Sequence, residues 1–251
     1  MIIVIKIGTN VILRDDEINE HLLNNLAETL SAYQDLHQIA IVTSGAVASG
    51  AEGFDLKNLV DNQAAAAIGQ SKLMAVYGRI FGKYGLRVAQ LLYTYPDLVK
   101  QRTRKVIDRL LAQGIVPIIN ENDPVTSDEI LEMTAFGDNA RLAALVARMI
   151  RADLLVLLSN VDGLYPADPR QDKQVRPIKT VRRITSRILK MASAVPSAHS
   201  KGGMRANVAA VQLAREKGIP SIIANGCRWN TLRRILEGKY PGTYFPTRRR
   251  R

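Results

Sequence analysis

The amino-acid sequence predicts an α/β fold, a three-layer α/β/α sandwich on a mainly parallel central sheet. Six short apolar runs are spaced along the 251 residues, longer helical patterns separate them, and the runs are continuous rather than alternating in polarity. A strand apolar on both faces belongs in a sheet covered on both sides, the setting of parallel strands joined by helical crossovers. Strand–helix alternation repeated this often needs helices on both faces of one sheet. Ligands of such sheets sit outside the carboxyl ends of the strands, so chemistry is to be sought there.

The elements follow in chain order. Residues 2–7 (IIVIKI) read as the first strand. Ile18, Leu22, Leu26 and Leu30 mark one face of a helix, with Asp15 or Asp16 available as its cap. Further strands are expected at 39–43, 86–92, 115–120, 154–159 and 219–224, and helices at 62–84, 97–113, 139–151 and 204–217. Two stretches break the rhythm. Residues 123–137 are polar and contain Pro124, and read as a hairpin or lid; residues 170–200 are charged and weakly periodic, and read as a helical excursion or flexible element. No repeat or long linker divides the chain. Residues 1–245 are therefore read as one domain, and 246–251 as a basic tail expected to be disordered.

Composition narrows the classes. Hydrophobic residues make up 47% of the chain, enough for a sizeable core at this length. The lone cysteine, Cys227, rules out a disulfide framework within one chain and fits a reducing compartment. Lys6, Arg14 and Asp15 interrupt the N-terminal apolar stretch, which is too short for a membrane span or a secretion signal. A soluble cytoplasmic protein with no membrane partner is expected. The net charge of +12 fits either a nucleic-acid surface or a solvated surface around a phosphate site. The second is preferred, because no nucleic-acid motif accompanies the charge and four terminal arginines supply part of it.

Phosphate chemistry here would need an unusual holder. The chain contains no G-x-x-x-x-G-K-[ST] and no G-x-G-x-x-G after its first strand. That strand ends Lys6-Ile7-Gly8-Thr9, where an ammonium and turn amides can meet an anion; a strand-end lysine beside a turn glycine is the plain alternative. The second strand ends Thr43-Ser44-Gly45-Ala46, and Ser44 either offers its hydroxyl to a ligand or caps the next helix. The fourth ends Asn120-Glu121-Asn122-Asp123-Pro124, and Phe136-Gly137-Asp138-Asn139 precedes a later helix. Turn and cap chemistry accounts for part of both clusters, less readily for Glu121. Together they offer acceptors for a substrate ammonium group. Ser200-Lys201-Gly202-Gly203-Met204 opens a helix whose glycines and dipole suit phosphate, or is a loop before an ordinary helix. No role falls to His21, His37 or His199, and no metal-ligating residues are assigned.

In this order the motifs resemble those of the glutamate 5-kinases of the amino-acid-kinase family. The matching stretches are 5–9 (IKIGT), 41–46 (IVTSGA), 63–70 (QAAAAIGQ), 117–123 (PIINEND), 136–139 (FGDN), 161–165 (VDGLY) with 168–170 (DPR), and 202–204 (GGM). They span nearly the whole chain, and Asn-Glu-Asn-Asp followed by Gly-Asp-Asn is the most specific part. The resemblance implies the amino-acid-kinase sandwich and ATP-dependent phosphorylation of the L-glutamate side-chain carboxylate, the first step of proline synthesis, with ATP and Mg2+. It implies that Lys6 contacts the transferring phosphoryl group. Ser44, Asp123 and Asn139 would bind glutamate, with Asn120 and Asp138 nearby. Gly8, Ser159, Asn160 and the stretch Lys201, Gly202, Gly203, Met204, Arg205 and Asn207 would meet the nucleotide. The substrate lobe would be mainly N-terminal, the nucleotide lobe mainly C-terminal, and the protein a homodimer or homotetramer. Many members carry a further C-terminal RNA-binding-like domain, for which this chain ends too early. A carboxylate substrate is already ionised at neutral pH, so alignment and positive charge can suffice without a general base.

Three positions depart from the family pattern. Ala140 stands where an aspartate organises the catalytic lysines, Asn207 where a second catalytic lysine ends the glycine-rich motif, and Asn160 where aspartate is usual. One lost transition-state donor costs on the order of 3 kcal/mol. Ala140 and Asn207, however, remove one negative and one positive charge together. Lys201, or Arg205 in the next helix's first turn, is expected to supply the missing cation; plain surface charge is the other reading of both. The alternative function is a regulatory homologue that binds glutamate or nucleotide without turnover.

Overall fold

A computed structural model describes residues 1–125, 139–169, 171–172, 174–193 and 203–247. The chain runs β1 (Ile2–Ile7), α1 (Thr9–Ile12), β2 (Leu13–Arg14), β3 (Glu17–Ile18), α2 (Glu20–Tyr33), β4 (Gln38–Val42), α3 (Ala46–Ser49) and α4 (Leu59–Lys83). It continues with β5 (Arg87–Tyr93), α5 (Gln101–Ala112), β6 (Ile115–Glu121), α6 (Asn139–Ile150), β7 (Leu154–Ser159), α7 (Ser186–Ser193), α8 (Gly203–Glu216), β8 (Ser221–Asn225), α9 (Thr231–Leu236) and β9 (Gly242–Phe245). Seven strands form one sheet in the order β5-β6-β4-β1-β7-β8-β9, parallel except for β9 at one edge. From β1 the chain adds β4, then the edge strand β5, then β6 between those two, before it crosses to β7 and builds the other side. The order therefore reverses between β1 and β7, and in such sheets the crevice beyond that pair is the ligand position.

Strand alternation sorts the core into two layers. Ile3, Ile5 and Ile7 of β1, Ile39 and Ile41 of β4, and Val116 and Ile118 of β6 pack with α2, α4 and α9. Val4, Ala40, Val42 and Ile119 pack on the other side with α5, α6 and α8. The same parity carries past the last apolar residue of each strand. It puts Lys6 and Ser44 on the α6 side, and Thr43 and Asn120 on the α4 side. These four residues end strands whose registers align, with Lys6 opposite Val42 and Leu157, and Val42 opposite Ile119.

The expected strands and helices are present with shifts of one to three residues at most ends, and the exceptions have local causes. The cap of α2 is neither Asp15 nor Asp16. Asn19 accepts a hydrogen bond from the Leu22 N–H instead, at 3.0 Å. Asp15 and Asp16 both take positive φ and turn the β2–β3 hairpin, the geometry that a two-residue loop requires. The helix expected at 97–113 begins only at Gln101. Before it, Thr94 and Asp97 close a capping box on a 3-10 turn over Tyr95–Val99. The Lys100 ammonium and the Thr94 hydroxyl and N–H hold the Asp97 carboxyl down at about 2. The 170–200 stretch contains α7, with Thr180 bridging to Tyr244 of β9. The lid expected at 123–137 lies mostly outside the described residues; its start, Asp123–Val125, is a 3-10 turn. Among the described residues no helix is long and apolar enough to cross a membrane.

Candidate active site

The turn after β1 brings its lysine back onto its glycine. A Cβ at Gly8 would lie 3.4 Å from the Lys6 Nζ and 3.1 Å from the Leu158 carbonyl oxygen. Gly8 thus leaves room for the ammonium to lie along the crevice between β1 and β7. Its own N–H is already committed, donating to the Leu158 carbonyl at 3.1 Å, and its carbonyl accepts from Val11 and Ile12. Gly8 therefore contributes space rather than its amide.

On the other side of β1, the second strand end carries a buried hydroxyl. Ser44 is 3% exposed. It does not cap α3, whose N-cap is Gly45 in the left-handed region at φ 88°. The Ser44 Oγ instead accepts a hydrogen bond from Asn139 Nδ2 at 3.2 Å, joining β4 to the first residue of α6. α6 packs over β1, β4 and β6, and against α8. Two motifs far apart in sequence, TSG and GDN, thus meet through one hydrogen bond, and the Asn139 Oδ1 remains buried without a partner.

Beneath that pair, α4 grips the strand ends from the opposite layer. Asn120, 1% exposed, donates from Nδ2 to the Gln70 Oε1 at 2.8 Å. Thr43 Oγ1 and the Tyr77 hydroxyl lie 3.0 Å apart, both residues fully buried. Burial pushes the Tyr77 phenol well above its ordinary range, so it stays neutral. Gln63, Gln70 and Tyr77 are seven residues apart and share one helix face. α4 can come this close because a Cβ at Gly69 would meet the Ala46 carbonyl oxygen at 1.8 Å and one at Gly50 the Ala65 carbonyl oxygen at 2.1 Å. The QAAAAIGQ motif is thus a close helix contact with a polar face. Gln70 and Tyr77 escaped the sequence reading because nothing local distinguishes them from ordinary helix residues; the signal was their seven-residue spacing within an alanine-rich, otherwise apolar face.

The C-terminal side of the crevice is more open. Ser159 is half-buried and Asn160 exposed at the end of β7. The Asp162 carboxylate is pulled up by burial, but the Arg228 guanidinium and Asn225 amide bonded to it outweigh this and hold it below its usual range. Arg228 binds it through two nitrogens at 2.7 and 2.6 Å, and Asn225 donates at 2.8 Å. In the VDGLY motif Gly163 closes on the edge strand, where a Cβ would meet Thr243 Oγ1 at 2.5 Å, and Leu164 is fully buried. That motif is largely a packing device. Gly203 and Met204 begin α8, Arg205 is exposed, and Asn207 is 4% exposed. Ala140 is fully buried on α6. Two of the three residues that depart from the family pattern, Ala140 and Asn207, therefore sit on helices packed against each other. Asp123 stands in the 3-10 turn after β6; Asp138, Lys201, Gly202 and the 248–251 tail lie outside the described residues.

Known proteins share this plan. Residues 1–225 match the amino acid kinase family. A glutamate 5-kinase of Geobacter metallireducens is 41% identical over 97% of this chain and 67% of its own length. One from Symbiobacterium thermophilum is 42% identical over 97% of this chain and 95% of its own. Among solved structures, an isopentenyl phosphate kinase superposes with a TM-score of 0.69 at 17% identity, covering 98% of this chain and all of its own. UMP kinase from Ureaplasma parvum superposes at 0.67 and 16%, covering 98% of each chain. These two bear on the fold alone. Matched by the family over residues 1–225 and by these relatives over 97% of its length, the chain belongs to the amino acid kinase family, among its glutamate 5-kinases.

Proposed function

We propose that this protein transfers the terminal phosphoryl group of ATP to the side-chain carboxylate of L-glutamate, the first step of proline biosynthesis. The observation that carries the reading is the Ser44–Asn139 hydrogen bond, which brings the TSG and GDN motifs together past the strand position that pairs with Lys6 of β1. Relatives at about 40% identity over nearly the whole chain bear the glutamate 5-kinase name. ATP supplies the transferable phosphoryl group, and Mg2+ screens its charge.

The residues present suit those ligands. Lys6 offers a cation over a turn that carries no side chain at Gly8, which lets phosphate oxygens approach the backbone. Among the described residues no three His, Cys, Asp or Glu side chains come together, so no protein cage for a metal is formed there. Mg2+ commonly keeps its waters and is held largely by phosphates, which matches such a site. Ser44, Asn139 and Asp123 orient the amino acid, with Asn120 behind them; Asp138 is assigned to the same substrate. Ser159, Asn160 and the start of α8, with Arg205 and Asn207, border the nucleotide. Lys6 meets the charge that develops as the carboxylate oxygen bonds to phosphorus and the bridging oxygen leaves. Lys201 takes the place of the cation absent at Asn207. Turnover in Lys201→Ala is expected to fall at least ~10-fold, and unchanged turnover removes that role.

The deciding experiment is glutamate-dependent ADP release with ATP and Mg2+, with hydroxylamine present to trap an acyl phosphate. Hydroxamate formation sustains the kinase. Binding of glutamate without hydroxamate would instead identify a regulatory homologue. The family resemblance implies a homodimer or homotetramer, which light scattering of the intact chain would measure.

A further inference from the structure

We propose that Gln70 is a positioning residue of the acceptor site: it holds the Asn120 amide so that the Asn120 carbonyl oxygen and its own N–H are presented to the bound amino acid. The inference rests on the kinase reading above and assigns it a residue from α4.

Gln70 is 7% exposed and Asn120 1%, so both amides are shut away from water. Each side-chain amide has two donor hydrogens and two acceptor lone pairs. The contact from Asn120 Nδ2 to Gln70 Oε1 uses one side of each group. What remains is Gln70 Nε2 and Asn120 Oδ1, both buried and both without a partner. Native interiors rarely leave such atoms, and each one in a folded protein calls for a ligand or another explanation. A leucine at position 70 would fill the same face of α4, where Ala66 and Leu73 are buried, without leaving any polar atom unpaired.

The leftover atoms form a pattern. Asn139 Oδ1 is a third buried orphan, since its Nδ2 is given to Ser44. Two carbonyl oxygens and one N–H are therefore left over, Asn120 Oδ1 and Gln70 Nε2 on the α4 side of the β6 end and Asn139 Oδ1 at the start of α6. An α-amino acid brings an ammonium that needs acceptors and a carboxylate that needs donors, which is the matching complement. Asn120 could present either edge of its amide. With Gln70 accepting from Nδ2, Oδ1 is the edge left free. The close approach at Gly69, one residue before Gln70, is what brings α4 within reach of β6.

The test uses the intact chain, with L-glutamate binding measured by calorimetry and KM values for glutamate and ATP. In Gln70→Leu the glutamate KM and dissociation constant are expected to rise at least ~10-fold, the loss of one hydrogen-bonded hold. The ATP KM should stay within about twofold, and Asn120→Ala should make the added Gln70→Leu change nearly silent, because residues in one network are non-additive. Unchanged glutamate binding in Gln70→Leu, or independent losses in the double variant, overturns the proposal. If Gln70→Leu does not fold, Gln70→Met takes its place. If the wild type takes up no glutamate, the kinase reading falls instead. The hold is then judged by the Asn120 side-chain amide signal in NMR: slow hydrogen exchange sustains it, and fast exchange overturns it.

Discussion

At the ends of β4 and β6 the polar side chains are sealed in, with Ser44 3% exposed, Asn120 1% and Gln70 7%, each bonded to a neighbour. At the ends of β7 and β8 they stand open, with Asn160 exposed and the Arg228 side chain 63% exposed while it grips Asp162. The two sides suit different ligands. Buried amides and hydroxyls discriminate by pattern, because a wrong ligand leaves them unpaired in a place where that is costly. Exposed charges discriminate weakly and are screened by salt, which is tolerable for a polyanion gathered by several contacts. Lys6 lies where the two sides meet.

Substitutions can break or sharpen this contrast. The largest effect is expected at the meeting point. Lys6→Met should lower turnover ~100-fold or more, about 3 kcal/mol of transition-state stabilisation, while glutamate binding changes only a few-fold. Steady-state kinetics beside calorimetry separates the two, and a loss confined to binding would place Lys6 on the acceptor side. Next is Gly69→Ala. Its Cβ would sit 1.8 Å from a backbone oxygen that cannot swing away, so α3 and α4 must part. Overpacking of this kind costs about 2 kcal/mol, read by urea denaturation, and the glutamate KM should rise with it.

Asn139→Ala tests the sealed side directly. Removing the donor to Ser44 should raise the glutamate KM ~10-fold and leave the ATP KM nearly unchanged. Equal shifts in both constants would mean that the two sides are not separate. The smallest effect belongs to the rim beyond β5. Asp97 has its carboxyl held at about 2 against an ordinary 3.8, first by Lys100 and then by Thr94. A depressed carboxyl stabilises the fold above its unfolded pKa and loses that contribution as pH falls through the folded one. Asp97→Asn should therefore cost about 1 kcal/mol at neutral pH and only a small part of that near pH 2. Denaturation at pH 7, 4 and 2 follows this, and a constant difference across that range would rule out the capping box as its source.

Much of the fold was legible because burial on both faces leaves a strong mark. β1 and β7 begin and end where their apolar runs do, since nothing but a two-faced core explains IIVIKI and LLVLLS. β9 was missed because a four-residue edge strand after a proline carries no such run. The α2 cap was misplaced because Asp15 and Asp16 suit a cap and a tight turn equally well, and only the hairpin partner selects between them.

For the site, the sequence by itself determined the chemistry available at the strand ends: Lys6 before a glycine, Ser44 after a β-run, and amides and carboxylates after β6. Which face each takes followed from strand parity only once the two packed layers were known. Only the tertiary structure decided that Ser44 is joined to Asn139 rather than capping a helix, and that Gln70 reaches Asn120. Those pairs lie 95 and 50 residues apart. Local spacing cannot choose a partner at such a distance; the choice is made when layers pack, at a separation that the glycines of α3 and α4 set.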